Sequence, residues 1–192
     1  MFQALLEKLA SALEVRGIAY MVIGGQAVLL YGEPRFTRDI DITLGLDAEG
    51  ADQVVALARD LGLTIRVEQP RKFVHDTMVL PCEERSSGIR VDFVFSHSEY
   101  ERVALARVRR ERIGKATVAY ASLEDLVIQK LVAGRPRDLE DARIVLLKNP
   151  DYDRAYVEKW LSQFEPVVEQ PLGEILKTLV TKKPRDEGGA FG

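Results

Sequence analysis

The stretch that decides the fold runs from Met21 to Gly45 and reads MVIGGQAVLLYGEPRFTRDIDITLG. It opens within an apolar segment, AYMVI, which predicts a short buried strand that ends at Gly24 and Gly25. QAVLLYG has helix-forming composition and stops at Gly32, whereas DIDITL is rich in β-branched residues and alternates polar with apolar positions. The stretch therefore predicts a strand, a helix and a second strand in succession.

Asp39 and Asp41 are separated by a single isoleucine in the second of these strands. Side chains two positions apart on a strand share a face, so the two carboxylates lie side by side while Ile40 and Ile42 point into the core. Neighbouring carboxylates repel each other, and burial raises their pKa unless a cation compensates. A hard divalent cation such as Mg²⁺, which binds carboxylates together with substrate phosphates, is the simplest compensating group.

Gly24 and Gly25 predict the other half of a phosphate site. Backbone without a Cβ lets a phosphate approach closely, and the N–H groups at the start of the following helix point towards it. On its own, a Gly-Gly pair at such a junction is more often a tight turn, and an Asp-x-Asp pair is hardly more specific. Their order along the chain favours a triphosphate that the glycines hold and a metal links to Asp39 and Asp41.

Asp92 is a third candidate acid, because it interrupts the apolar run IRVDFVFS. Val91 and Phe93 face the other way on the predicted strand, and a buried carboxylate without compensation would be costly. If this strand lies beside DIDITL, Asp92 joins Asp39 and Asp41 in one cluster. The alternative is an edge-strand aspartate that faces water, since antiparallel sheets expose one face.

Length and composition describe an ordinary globular protein of one domain, or of a core with a small appendage. The 192 residues are 46% hydrophobic and 30% charged, and the net charge of −3 argues neither for nor against nucleic acid as a partner. Cys82 is the single cysteine, and His75 and His97 are too few and scattered for a zinc cluster. Charged residues break the apolar N-terminus, so we expect a cytoplasmic protein without a membrane segment.

The rest of the chain predicts a sheet flanked by helices. Helical patterns precede Gly17 and cover GADQVVALARDLG, and another short helix lies near SEYERVALA. TMVLP and IRVDFVF predict two strands joined through Ser-Ser-Gly, and two more short strands lie around Gly114. These elements indicate an α+β fold with a mixed or antiparallel sheet.

From Ser122 onward, the sequence predicts helices only. SLEDLVIQKLVAG begins with a predicted capping box of Ser122 and Asp125, and it is followed by RDLEDARIVLLKN, DRAYVEKWLSQF and LGEILKTLV. We therefore divide the chain into a core over residues 1–120, a helical region over 121–183 that completes the site, and a disordered, charged, glycine-rich tail over 184–192.

A basic segment, RVALARVRRERIGK, lies between the core and the helical region. Such a strip has the charge to follow a nucleic-acid backbone, but arginines on alternate positions also protect sheet edges. A solvated strand face is the favoured interpretation. Its basic residues are Arg102, Arg107, Arg109, Arg110, Arg112 and Lys115.

VIGGQAVLLYGEPRFTRDIDITL followed by IRVDFVFS resembles the nucleotidyltransferase superfamily that includes DNA polymerase β and the minimal nucleotidyltransferases. Within it, SLEDLVIQKLVAGRPRDLEDARIVL is similar to the downstream motif of the AbiEii-type toxin nucleotidyltransferases, and together these segments cover residues 20–146. Many relatives have Gly-Ser at Gly24-Gly25, and many have Lys where this chain has Arg137. The resemblance implies the nucleotidyltransferase-like version of the α+β fold.

The resemblance also implies site roles. Asp39 and Asp41 would bridge two Mg²⁺ ions, with Mn²⁺ as an alternative, and Asp92 would complete the second metal site and help remove the acceptor's hydroxyl proton. Asp138, which shares a helix face with Asp141, would orient Lys130 or assist deprotonation, although an exposed acidic first turn is an equally weighted alternative. Candidate ligands of the nucleotide are Gly24, Gly25, Arg35, Arg38, Lys130, Arg135 and Arg137.

The implied activity is transfer of a nucleoside monophosphate from an NTP to a macromolecular acceptor, with tRNA as the leading acceptor and with release of pyrophosphate. A toxin of a toxin–antitoxin pair, with a cognate antitoxin as partner, fits this activity. The alternative enzymes are an antitoxin that nucleotidylates a protein, such as its cognate toxin, and an enzyme that modifies a small molecule such as an antibiotic. The alternative outside catalysis is a pseudoenzyme that only binds nucleotide; three acids at the expected positions argue against it.

Overall fold

The computed structural model describes residues 2–34, 37 and 39–181. Over these residues, nine α-helices surround one sheet of seven strands. The helices are α1 (Phe2–Val15), α2 (Gly24–Tyr31), α3 (Ala51–Asp60), α4 (Pro70–Thr77), α5 (Glu99–Ala106), α6 (Leu123–Ala133), α7 (Pro136–Lys148), α8 (Arg154–Val168) and α9 (Leu172–Thr181). The strands are β1 (Tyr20–Ile23), β2 (Asp39–Leu44), β3 (Leu63–Ile65), β4 (Val79–Glu84), β5 (Arg90–Phe95), β6 (Arg109–Ile113) and β7 (Ala116–Tyr120).

The sheet is mixed, with the order β3-β4-β5-β2-β1-β7-β6. The strands β2 and β5 lie near its centre and run parallel, whereas β1 pairs antiparallel with β2, and β4 pairs antiparallel with β5. The predicted α+β class with a mixed sheet is therefore confirmed. Because β2 and β5 are neighbours, residues that are far apart in sequence meet at the centre of the sheet.

Alternation along the central strands separates the core from the site. Ile40 and Ile42 on β2, and Val91 and Phe93 on β5, are almost completely buried. The residues between them point to the other face of the sheet. Burial of the apolar set fixes the register, since a slip by one residue would turn it outward. The acids are consequently held in place by the packing of their neighbours.

Two elements were missing from the sequence-based prediction. Strand β3 has three residues, too few to reveal an alternating pattern, and α4 is largely polar, with Val74 as its buried residue. Contacts of β3 with β4, and of α4 with α3 and β4, define these elements. Their formation depends on tertiary packing more than on local pattern.

Side chains cap the starts of α6 and α5. Ser122 accepts a hydrogen bond from the Asp125 N–H, but the Asp125 carboxylate turns to the hydroxyl groups of Ser122 and Tyr156. A reciprocal capping box forms instead at the start of α5, between Ser98 and Glu101. Asp125 thus links α6 to α8, which its predicted role as a cap did not include.

Some expectations fall on residues that the structure does not describe. Arg35, Arg38 and the tail over 184–192 lie outside the described residues. Across the described ranges, no helix is long and apolar enough to cross a membrane.

Candidate active site

Three aspartates meet on the central strands. Asp41 on β2 lies directly opposite Asp92 on β5, and Asp39 lies opposite Arg90. Directly opposite residues of paired strands project from the same face, so the acids form one group on the side away from the core. Asp39 and Asp41 line a cavity of about 650 Å³, whereas Asp92 lies beside its wall with 23% of its side chain exposed.

Burial and neighbouring carboxylates raise the pKa of Asp41 and of Asp92. For Asp41 the pKa rises to about 6, mainly because the group is buried, and then because Asp92 and Asp39 are close by. Lys130 and Arg90 act in the opposite direction. The pKa of Asp92 is also raised, first by burial and opposed by Arg90. This surplus of negative charge is what a bound cation would relieve.

The donor set fits a hard divalent cation. Carboxylate oxygens are the ligands that Mg²⁺ prefers, and Oδ1 of Asp92 is buried without a hydrogen-bond partner. Within the described ranges, however, no three Asp, Glu, His or Cys side chains converge tightly enough to enclose an ion. Asp39, Asp41 and Asp92 are the residues whose carboxylate oxygens would hold such an ion.

The two glycines lie where β1 becomes α2. Gly24 has φ +63°, a conformation that favours glycine, and a Cβ on it would overlap the carboxylate of Asp41. Gly24 and Gly25 form the first turn of α2, and no side chain caps this helix at Ile23. Both glycines line the cavity, so the helix start faces the space beside the aspartates.

Lys130 faces the same cavity from α6 and is itself almost buried. Its Nζ lies 2.6 Å from Oδ1 of Asp138 and 2.9 Å from Oδ2 of Asp141, and it donates a hydrogen bond to each. Asp138 is 13% exposed in its side chain, so it is not the water-facing first turn that was the alternative interpretation. The ammonium group is held by two carboxylates of α7 and has a third N–H to offer.

Arg135 and Arg137 lie at the rim of the cavity, both exposed to solvent. They flank Pro136 at the start of α7, so the helix end that places Asp138 also places these guanidinium groups. The described residues that line the cavity are Ile23, Gly24, Gly25, Thr37, Asp39, Asp41, Leu126, Gln129, Lys130, Ala133, Arg135, Arg137 and Asp138.

The basic segment ends in the edge strand β6. Strands β1 and β7 lie between β6 and the strand β2 that carries Asp39 and Asp41. Arg107 stacks 3.8 Å above the ring of Tyr156 and lies 3.3 Å from Glu124, so it joins α5 to α6 and α8. Arg109 pairs with Glu111. Part of the charge in this segment is therefore engaged in contacts within the chain.

A sequence model of one family covers nearly the whole chain. The family described as "Nucleotidyl transferase AbiEii toxin, Type IV TA system" matches residues 17–189. The chain belongs to the AbiEii nucleotidyltransferase family. This AbiEii-family protein is a nucleotidyltransferase, as the motifs around Asp39 and Lys130 predicted. A comparison with curated proteins gave no match.

Solved structures share the fold of this AbiEii-family chain. The antibiotic-resistance factor ANT(2'')-Ia has a TM-score of 0.57 and 16% identity over 87% of this chain and 95% of its own. An antigenic nucleotidyltransferase-like protein from Paracoccidioides brasiliensis has a TM-score of 0.54 and 17% identity, over 91% of each chain. A Thermotoga maritima protein described as a nucleotidyltransferase has a TM-score of 0.51 and 18% identity over 84% of this chain and 93% of its own.

The candidate site contains residues that the sequence did not single out. Thr37 and Gln129 line the cavity, and Arg90 lies 3.7 Å from Asp92. Arg90 precedes Asp92 by two positions, so alternation on the strand was the signal that would have placed both on one face. Gln129 and Thr37 carry no comparable signal, because their neighbours are set by how α6 and the chain before β2 pack.

Proposed function

We propose that this protein is a Mg²⁺-dependent enzyme that transfers a nucleoside monophosphate from an NTP to the 3′ end of an RNA, with tRNA as the leading acceptor. The observation that carries the proposal is the cavity itself. Asp39 and Asp41 line it from β2, Lys130 lines it from α6, and the uncapped start of α2 lines it as well. Carboxylates, a cation and free backbone N–H groups around one space match the needs of a nucleoside triphosphate.

Each group has a task in holding the triphosphate. The N–H groups of Gly24 and Gly25 donate to phosphate oxygens, and the positive end of the α2 dipole favours the negative charge. Lys130 offers its third N–H, and Arg135 and Arg137 at the rim add mobile positive charge. We further propose that residues 121–183 complete the site of the 1–120 core, because Lys130, Arg135 and Arg137 all come from that region.

Asp39, Asp41 and Asp92 would hold the divalent ions. Two such ions, Mg²⁺ or Mn²⁺, would supply charge neutralisation and would lower the pKa of the attacking hydroxyl group. The unpartnered Oδ1 of Asp92 supports this assignment, since a buried carboxylate oxygen without a donor is costly unless a ligand satisfies it.

At the α-phosphorus, the reaction makes one bond and breaks one. The 3′ oxygen of the acceptor bonds to the α-phosphorus, and the bond from that phosphorus to the bridging β oxygen breaks, releasing pyrophosphate. Asp92 accepts the proton of the attacking hydroxyl. The chain's contribution is then in-line positioning and stabilisation of charge on the phosphates.

The biological role we propose is that of the toxin in a toxin–antitoxin pair, with a cognate antitoxin as its partner. Membership in a family described as a toxin of a type IV system supports this role. Exposed Arg135 and Arg137 also support a polyanionic acceptor, because they place two guanidinium groups at the cavity mouth.

The test is a transfer assay with each of the four α-labelled NTPs, Mg²⁺ and either purified tRNA, total RNA or cell lysate. Asp41→Asn removes the acid while keeping the side-chain shape, and Asp151→Asn is the control at an exposed position away from the cavity. We expect label in RNA with the wild type and with Asp151→Asn, and at least a hundredfold less with Asp41→Asn, the order of loss typical for key groups in phosphoryl transfer.

Two results would count against the proposal. Asp41-dependent label in protein or in a small molecule, but not in RNA, would overturn the acceptor and leave the nucleotidyltransfer. Transfer that persists at full rate in EDTA would overturn the dependence on a divalent ion.

A further inference from the structure

Arg90 lies among the acids of the sheet. It opens β5, and its partners in register are Asp39 on β2 and Glu83 on β4. Its Nη2 lies 3.7 Å from Oδ2 of Asp92. The guanidinium group of Arg90 thus stands on the acid face of the sheet, with carboxylates on both neighbouring strands.

The other cation near the acids has partners of its own. Lys130 is held by Asp138 and Asp141, whereas the guanidinium group of Arg90 lies beside Asp92. Among the described residues, Arg90 is the cation that forms an ion pair with Asp92. It therefore supplies the positive charge that a divalent ion would supply in the working enzyme.

The Arg90–Asp92 contact is loose. At 3.7 Å it exceeds hydrogen-bond length, and 61% of the Arg90 side chain is exposed, whereas Asp92 is mostly covered. Its long side chain can turn into solvent without breaking a packed core, and an exposed ion pair changes an equilibrium by only a few-fold. The geometry is that of a counter-ion that leaves easily.

We propose that Arg90 is a positioning residue that acts as the resident counter-cation of the acid cluster and competes with divalent ions for Asp92. In the metal-free protein its guanidinium stabilises the clustered carboxylates. When an ion is held by Asp39, Asp41 and Asp92, Arg90 turns outward and is free for a phosphate of the bound substrates. Arg90 thereby sets how much free divalent ion the enzyme needs, and the inference rests on the proposed metal-dependent function.

The test measures Mn²⁺ binding directly, by electron paramagnetic resonance of the free ion, with no nucleotide and no turnover. Arg90→Gln is compared with the wild type and with Arg154→Gln, a matched control at an arginine that is 54% exposed and paired with Glu158 on α8. We expect Arg90→Gln to bind Mn²⁺ about threefold tighter, as loss of an exposed ion pair implies, and Arg154→Gln to match the wild type.

Thermal unfolding gives a second readout. In EDTA, Arg90→Gln should melt below the wild type, because the carboxylates repel one another without their counter-ion, and saturating Mn²⁺ should close the gap. In the background of Asp92→Asn, Arg90→Gln should no longer tighten Mn²⁺ binding, since the competition is for Asp92.

The outcomes separate the inference from the proposed function. Unchanged or weaker Mn²⁺ binding in Arg90→Gln, while the wild type binds Mn²⁺ in an Asp92-dependent manner, overturns the role of Arg90 alone. A wild type whose Mn²⁺ binding does not depend on Asp92 overturns this inference together with the proposed metal site.

Discussion

Gly24 packs directly against the carboxylate of Asp41. Gly24 has a positive φ of +63°, and the position where its Cβ would stand is already taken by Oδ2 of Asp41. Gly24 therefore has a second role besides its proposed contact with phosphate, because it leaves room for the Asp41 side chain at the point where the strand ends.

Gly24→Ala should reduce activity far more than it reduces stability. The methyl group would displace Asp41, and a shift of a reacting group by about an ångström can cost on the order of a hundredfold in rate. The strained backbone adds about 1–2 kcal/mol of destabilisation. Gly62→Ala is the matched control, since Gly62 has φ +72° with nothing within 4 Å of its Cβ position. Transfer assays and urea unfolding of both variants separate the effects; equal activity in the two would contradict the role of Gly24.

Lys130→Met should destabilise the fold by about 3 kcal/mol or more, because it removes the largely buried cation to which Asp138 and Asp141 both bind. Adding Asp138→Asn to Lys130→Met should recover part of that loss, since one of the two charges is removed. Urea unfolding measures both free energies. If Lys130→Met unfolds like the wild type, the two carboxylates do not depend on the lysine.

Asp41→Asn should stabilise the metal-free protein while it abolishes transfer. Burial and the nearby Asp92 and Asp39 raise the pKa of Asp41 to about 6, so its ionised form costs free energy of folding at neutral pH. Removal of the charge should raise the free energy of unfolding in EDTA by about 1–2 kcal/mol. Thermal unfolding in EDTA, beside Asp151→Asn, is the measurement. A melting temperature below that of the wild type would show that Asp41 contributes to the fold rather than strains it.

Asp125 should make stability fall as pH rises from the acidic range. Burial raises its pKa, against the opposing hydrogen bonds from Ser122 and Tyr156 and the charge of Arg107. A group whose pKa is higher in the folded state binds its proton more tightly there. Its stabilising contribution is therefore full below the unfolded pKa and is lost as pH rises through the folded one.

The comparison that isolates this effect is wild type against Asp125→Asn. The difference in unfolding free energy, wild type minus variant, should be larger near pH 4, which is close to the ordinary carboxyl pKa, than near pH 8, which is well above it. A difference that does not change with pH, or that grows towards alkaline pH, would mean that Asp125 does not have a raised pKa.

Local sequence was sufficient wherever an element carries its own pattern. The strand-helix-strand unit from β1 to β2 follows from the paired glycines and the alternation in DIDITL, and the C-terminal helices follow from their caps and apolar spacing. β3 and α4 were missed because neither is long enough to show a period, and their neighbours stabilise them. Ser122 caps α6 as predicted. The hydrogen bond of the Asp125 carboxylate with Tyr156 was not predicted, because Tyr156 lies on another helix.

The sequence by itself determined the reaction class. The chemistry needs two carboxylates on one strand face, a glycine pair before them and a downstream lysine, and short segments of the sequence contain each of these. Tertiary structure alone decided what each charge contacts. Pairing of β2 with β5 brought Asp41 opposite Asp92 and Arg90 opposite Asp39. Packing of α6 on α7 placed Lys130 between Asp138 and Asp141. Electrostatic interactions depend on distance and burial, and neither quantity exists until distant segments have packed together.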